Sequence, residues 1–151
     1  MVSGVAALAL VGGISYVGTT RQGSSMTRTS DTLQTLSNHL ASVSGARFTR
    51  GNCKLLFPND EVKNTACYMS PLKPEALLPL LRTGLVPLGS TRGWTEDYGV
   101  WGAFYALKDE PNRTFGVTIK PIADDLDFEG VREVQSYESF VILALSSQPS
   151  Q

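Results

Sequence analysis

The chain has 151 residues, 42% of them hydrophobic and 18% charged, and its formal net charge is −1. This length corresponds to about one domain that can bury a sizeable core. Without a basic excess the chain cannot hold a nucleic-acid backbone electrostatically, so nucleic acid is not an expected partner. The charge is uneven, because residues 1–58 carry five basic side chains and one acidic side chain, whereas residues 59–151 are net acidic.

The first twenty residues contain no charged side chain. A helix of that length would be about 30 Å long, the thickness of a membrane's hydrocarbon core. Residues 1–20 therefore predict a transmembrane anchor or signal segment, with membrane lipid as a partner. A cleaved leader lacks support from a basic start or a clear cleavage site. A buried core helix of a soluble protein is the third interpretation.

Two features give opposite predictions for the side of the membrane on which the domain lies. Arg21 and Arg28 follow the apolar run and no basic residue precedes it, which favours a cytoplasmic domain. Cys53 and Cys67 form an even pair that would close a loop of about 15 residues, worth ~3 kcal/mol in an oxidising compartment. We expect this disulfide, and with it a membrane-anchored domain that is periplasmic or extracellular; the cytoplasmic orientation is the alternative.

Residues 21–45 predict a linker, or a polar continuation of the first helix, followed by an amphipathic helix near 31–43. Ser30 or Asp31 can cap this helix, and Gly45 would end it. Its apolar side chains recur at spacings of three and four residues and form one narrow helix seam: Leu33, Leu36, Leu40 and Val43. Such a seam suits a helix packed on its own domain and a contact with a partner subunit equally well.

Residues 46–147 predict an α+β domain, and residues 148–151 a polar tail. A strand is expected over 46–57. The best helix candidate is 74–82, where Pro79 removes one hydrogen bond and would kink or split the helix.

The last third of the domain predicts strands. Two extended runs, 99–108 and 113–122, flank a four-residue loop and form a hairpin. Residues 139–146 are apolar on both faces, which is typical of a central, covered strand. The expected fold class is thus α+β, with an N-terminal apolar helix, an amphipathic helix, and a small antiparallel sheet of about four strands covered by one kinked helix.

Aromatic side chains crowd the segment before and within the first of these strands. Such amphipathic aromatics are common at protein interfaces. The predicted interaction patch consists of Trp94, Tyr98, Trp101 and Tyr105. Trp101 and Tyr105 share one strand face and Phe104 lies on the other; either one face remains a binding surface or both are covered within the monomer.

No catalytic, metal or cofactor site is predicted. His39 is the single histidine, and no serine lies in a nucleophile elbow, so His39 is interpreted as a solvated surface residue. Residues 125–130 resemble half a calcium loop, but the twelfth position is Ser136 instead of glutamate. We interpret them as an acidic turn whose Leu126 and Phe128 pack inward.

These observations favour a non-enzymatic, single-pass accessory or structural subunit of a membrane-associated or cell-envelope assembly. It would contact other protein subunits through the apolar helix and the aromatic patch. A soluble exported binding domain with a cleaved leader is the alternative, and a small enzyme is the third hypothesis. The layout is similar in architecture to pilin-like subunits, although their processing signature and the acidic residue early in the helix are absent.

Overall fold

A computed structural model describes residues 21–58 and 62–147. The predicted anchor, residues 1–20, and the polar tail, residues 148–151, lie outside the described residues. Within the described residues no helix is long and apolar enough to cross a membrane. The first helix, α1, covers Arg21–Ala41, so the polar stretch after residue 20 is helical.

One antiparallel sheet of seven strands forms the centre of the domain. Its strands are β1 (Thr49–Gly51), β2 (Thr65–Ser70), β3 (Gly89–Thr91), β4 (Thr95–Asp97), β5 (Val100–Leu107), β6 (Thr114–Pro121) and β7 (Ser139–Leu145). Their order is β1-β2-β7-β6-β5-β3, and β4 pairs with β5. The predicted hairpin of β5 and β6 is confirmed. So is the position of β7, which is central between β2 and β6.

The predicted fold class is wrong in its sheet and in its cover. The domain is mostly β, with seven strands instead of about four and two helices instead of one over the main core. The missed strands β3 and β4 have three residues each. Three residues are too short for an alternating pattern to stand out, and these strands exist because the edge of the longer β5 pairs with them.

The second helix, α2, covers Pro74–Gly84 and begins with proline, which needs no hydrogen-bond acceptor for a backbone N–H there. Pro79 is expected from the sequence to kink or split the helix; it lies inside one uninterrupted helix, so the split does not occur. The side chain of Pro79 is exposed, whereas Leu77 and Leu81 are buried in the main core. The helix therefore loses one hydrogen bond on its solvent side and keeps its apolar face intact.

Both helices cover the same face of the sheet, which we call the inner face. The alternation along β6 buries Phe115, Val117 and Ile119 against them. All four residues of the predicted seam join this core: Leu36 and Leu40 are buried, and Leu33 and Val43, which lies two residues after the end of α1, pack on it partly buried. The seam thus packs on the chain's own domain.

The opposite, outer face is covered over only part of its area. The segment 122–137 places Phe128 and Val134 against Phe140 of β7, and these residues form a second, smaller core. The disulfide between Cys53 and Cys67 joins this core, with 5.3 Å between the two Cα atoms. The predicted disulfide is present, and it ties the turn before residue 58 to β2.

Buried polar contacts fix α1 in position along its length. The guanidinium of Arg113, a residue only 2% exposed, donates to Thr29 Oγ1 at 3.0 Å and to the Ser146 carbonyl oxygen at 3.3 Å. Its Nη1 also lies 3.6 Å from a carboxylate oxygen of Glu110. A buried arginine is tolerated only when its N–H groups find such acceptors. Arg113 therefore joins the helix to the β5–β6 loop.

Two further contacts hold the second half of α1. Arg50 Nη1 donates to Ser37 Oγ at 2.7 Å and to Tyr68 Oη at 2.9 Å, which links the helix to β1 and β2. His39 Nε2 lies 2.7 Å from the Gly84 carbonyl oxygen at the end of α2. The interpretation of His39 as a solvated surface residue is therefore wrong: its ring connects the two helices.

Candidate functional site

The β4–β5 hairpin carries the most exposed aromatic side chain of the described domain. Asp97 pairs with Val100, so the loop between the strands consists of Tyr98 and Gly99 alone. Their φ angles are 49° and 79°, the left-handed pair that a type I′ turn requires. The Gly99 N–H donates to Glu96 Oε1 at 2.5 Å and closes the turn from one side.

Tyr98 is an unfavourable residue for this turn. The left-handed region suits asparagine, aspartate or glycine, and it disfavours a bulky side chain by roughly 1–2 kcal/mol. The ring is 97% exposed, so contacts within the chain do not offset this strain. Backbone strain that no packing interaction offsets is typical of a position retained for function.

A second exposed aromatic residue lies on the uncovered part of the outer face. Phe104 of β5 is 78% exposed, and it is paired with Gly116 of β6, which is paired in turn with Ala144 of β7. A Cβ on Gly116 would lie 3.1 Å from the Phe104 ring. The ring therefore lies over the glycine, and this row of the sheet presents one aromatic ring among very small side chains.

The inner side of the same hairpin is packed instead of exposed. Trp94 Nε1 donates to Tyr105 Oη at 3.0 Å, and the Tyr105 ring stacks on Phe115 with 5.0 Å between ring centroids. Burial raises the pKa of the Tyr105 hydroxyl above its ordinary value, and the hydrogen bond from Trp94 and the charge of Arg82 offset part of that increase. These aromatics form the rigid base on which the hairpin stands.

The four residues of the predicted patch thus lie in different environments. Tyr105 is buried, and Trp94 and Trp101 pack partly buried against the main core. Tyr98 is fully exposed, and Phe104, on the opposite strand face, is the other exposed aromatic near it in sequence. Strand parity already separates Phe104 from Trp101 and Tyr105; the small residues facing it on β6 and β7 were the signal that its own face stays open.

The charge around the hairpin tip is acidic. Glu96 and Asp97 precede Tyr98 directly, and both are exposed. The nearest basic side chain in the sequence is the exposed Arg92, in the loop between β3 and β4. An aromatic ring flanked by carboxylates is complementary to a partner surface that combines apolar and basic groups.

The acidic turn after β6 is neutralised from within the chain. Lys120 Nζ lies 3.0 Å from Asp125 Oδ2 and also contacts Asp127. Burial lowers the pKa of Lys120, but the hydrogen bonds and charges of Asp127 and Asp125 together raise it above its ordinary value.

Phe128 packs inward as expected, whereas Leu126 is 83% exposed, so the expectation for Leu126 is wrong. Across the described residues no group of three or more His, Cys, Asp or Glu side chains is placed to hold a metal ion.

The site is therefore a strained, exposed aromatic turn on a rigid base, beside an open strip of sheet. The site offers a partner apolar area and two carboxylates. The residues that form it include no nucleophile–base pair. Comparison of the chain with models of protein families, with curated proteins and with solved structures finds no match.

Proposed function

We propose that the protein is a non-enzymatic subunit of a membrane-associated or cell-envelope assembly. The N-terminal segment attaches it to the membrane, α1 carries the β-rich domain, and the hairpin tip at Tyr98 binds another protein subunit. The observation that carries this proposal is the strained and fully exposed Tyr98. Tyrosine is favoured at binding sites because a large, rigid ring buries much area with little loss of conformational freedom.

The course of α1 supports the role of a carrier. The helix has 21 residues, which gives a length of about 30 Å. Residues 26–28 are exposed, and Met26 is 77% exposed, whereas Leu36 and Leu40 are buried in the main core. The apolar core therefore packs on the second half of the helix, and the contact of Arg113 with Thr29 holds its first half.

The disulfide supports an exported domain. Disulfides persist in oxidising compartments and are rare where thiols are kept reduced. Cys53 and Cys67 are bonded, which agrees with a periplasmic or extracellular location. The basic residues after the apolar segment favour the opposite orientation. The test below therefore determines on which side of the membrane the domain lies.

Membrane attachment is tested by fractionating cells that express the full chain. We expect the protein to remain with membranes after carbonate extraction. We also expect externally added protease to remove the domain from cells whose plasma membrane is intact and whose outer membrane, where they have one, has been permeabilised. Release by carbonate would contradict the anchor and favour the exported domain with a cleaved leader. Protection from external protease, with digestion after lysis, would place the domain on the inner side.

The binding role of the hairpin is tested by site-specific photocrosslinking. A benzophenone amino acid replaces Tyr98 in one variant and Leu126, which is also highly exposed, in a matched control. We expect a discrete adduct with one membrane or envelope protein from position 98 and none from position 126. Equal adducts from both positions, or none from either, would contradict a partner site at the hairpin.

A further inference from the structure

A groove lies between α1 and the end of the β5–β6 hairpin. Its volume is about 300 Å³, the lower end of the range for small-molecule sites. The apolar part of its lining comes from Leu36 of α1, Pro87 and Leu88 after α2, and Leu107 of β5. The Lys108 N–H donates to the Leu88 carbonyl oxygen at 3.0 Å, which holds two walls of the groove together.

The α1 wall of the groove carries one cation and one anion, and the wall after β5 carries one cation and two carboxylates. Arg28 and Asp31 lie one helical turn apart on α1, and Lys108, Asp109 and Glu110 follow β5 directly. Among the described residues none of the first four forms an ion pair within 4.0 Å, in contrast to Glu110, whose carboxylate is held by Arg113. The groove thus combines an apolar floor with unpaired charges of both signs.

The hydroxyl groups of the wall do not compete for a guest's charges. Thr32 Oγ1 donates to the Arg28 carbonyl oxygen at 2.8 Å, and Thr35 Oγ1 donates to the Asp31 carbonyl oxygen at 3.0 Å. Their methyl groups extend the apolar lining. The groups left to bind polar atoms of a guest are therefore the two cations and the two unpaired carboxylates.

We propose that this groove binds a small zwitterion with an apolar body, the chemistry of an apolar amino acid or of a short apolar peptide. The guest's carboxylate lies toward Lys108 on one wall, its ammonium group toward Asp31 on the other, and its side chain over the leucines. A zwitterion meets an opposite charge at each end, whereas a guest with one charge leaves the groove's charges of one sign without a partner. The volume excludes a folded partner, and the site is independent of the hairpin at Tyr98.

The test is a titration of the full-length, ¹⁵N-labelled protein followed by NMR. The probes are L-leucine, the dipeptide L-leucyl-L-leucine, and N-acetyl-L-leucine amide, which keeps the side chain but carries no charge. We expect one or both zwitterions to shift the amide signals of Leu36, Leu88 and Leu107, and the uncharged amide to leave them in place. The zwitterion that binds more tightly shows whether the natural guest is a free amino acid or a peptide.

Exposed charges supply the matched variants, because their substitution leaves the core intact. Lys108→Glu and Asp31→Lys should each weaken binding of the zwitterion roughly fivefold or more, since attraction is replaced by repulsion. Lys73→Glu, on an exposed lysine that does not line the groove, should leave binding unchanged. The proposal is overturned if neither zwitterion shifts the groove signals, if the uncharged amide shifts them equally, or if Lys108→Glu binds like the parent.

Discussion

The two faces of the sheet are built on different principles. The inner face is covered by two helices, and its polar groups, such as those of Arg113 and Ser37, are buried and hydrogen-bonded. The outer face is covered only over β2 and β7, and beyond that cover it exposes Phe104, while the adjacent hairpin tip exposes Tyr98. The inner face and the covered part of the outer face hold the interactions that stabilise the fold. The uncovered part of the outer side holds features that stability alone does not explain, and these are the candidates for function.

The largest expected effect separates the two ends of α1. Leu40→Ala removes a fully buried side chain and should lower the free energy of unfolding by about 3–4 kcal/mol, because it leaves a cavity in the inner core. Met26→Ala, on the exposed half of the same helix, should change it by less than about 0.5 kcal/mol. Urea denaturation measures both. Similar losses in the two variants would mean that the first half of α1 is also packed.

The covered part of the outer face depends on its disulfide. Replacing both Cys53 and Cys67 by alanine should lower the free energy of unfolding by about 3 kcal/mol, since the open loop regains freedom in the unfolded chain. Thermal unfolding compares the variant with the parent. Intact mass of the non-reduced protein, taken from its native compartment, should be two hydrogens below that of the reduced chain. Two freely alkylated thiols in that sample would contradict the native disulfide.

A substitution at the hairpin tip should raise the free energy of unfolding, whereas the substitutions above lower it. Tyr98→Asn relieves the left-handed strain and should raise the free energy of unfolding by about 1 kcal/mol. The same substitution should reduce capture of the partner identified by crosslinking, because the exposed ring is lost. Tyr98→Phe, which keeps the ring and the strain, is the matched control and should retain capture. A stabilised Tyr98→Asn variant with undiminished capture would show that the ring does not serve binding.

The smallest expected effect is a dependence of stability on alkaline pH. The folded-state pKa values of Tyr105 and Lys120 are both raised, so the folded protein retains protons that the unfolded chain releases. Their contributions are complete below the ordinary values of about 10 and are lost as the pH rises through the folded-state values. Unfolding free energies at pH 8 and pH 11 measure the loss. Tyr105→Phe and Lys120→Met should each flatten the dependence, and an unchanged slope in both would assign it to other groups.

The parts of the fold with a local signal were predictable. Period-two alternation predicted the β5–β6 hairpin, a run apolar on both faces predicted the central β7, and spacings of three and four residues predicted the seam of α1. These patterns succeed because burying one face of a helix or strand requires apolar residues at a regular spacing along the sequence. The Cys53–Cys67 pair was predictable for a simpler reason, since two cysteines allow only one intramolecular disulfide.

The sequence by itself determined α2, the β5–β6 hairpin and β7, because that information is local. The strand expected over 46–57 is wrong in length: only Thr49–Gly51 is strand, and a 3-10 turn follows at Cys53–Leu55. Only the tertiary structure decided which surfaces remain open. The three-residue strands form where β2 and β5 offer an edge, and the open surface at Phe104 exists because segment 122–137 covers β7 and leaves β5 uncovered. Arg113 is buried because α1 crosses the β5–β6 loop, more than eighty positions away in the chain. Contacts over such distances leave no periodic trace in the sequence, so the candidate sites became visible only in three dimensions.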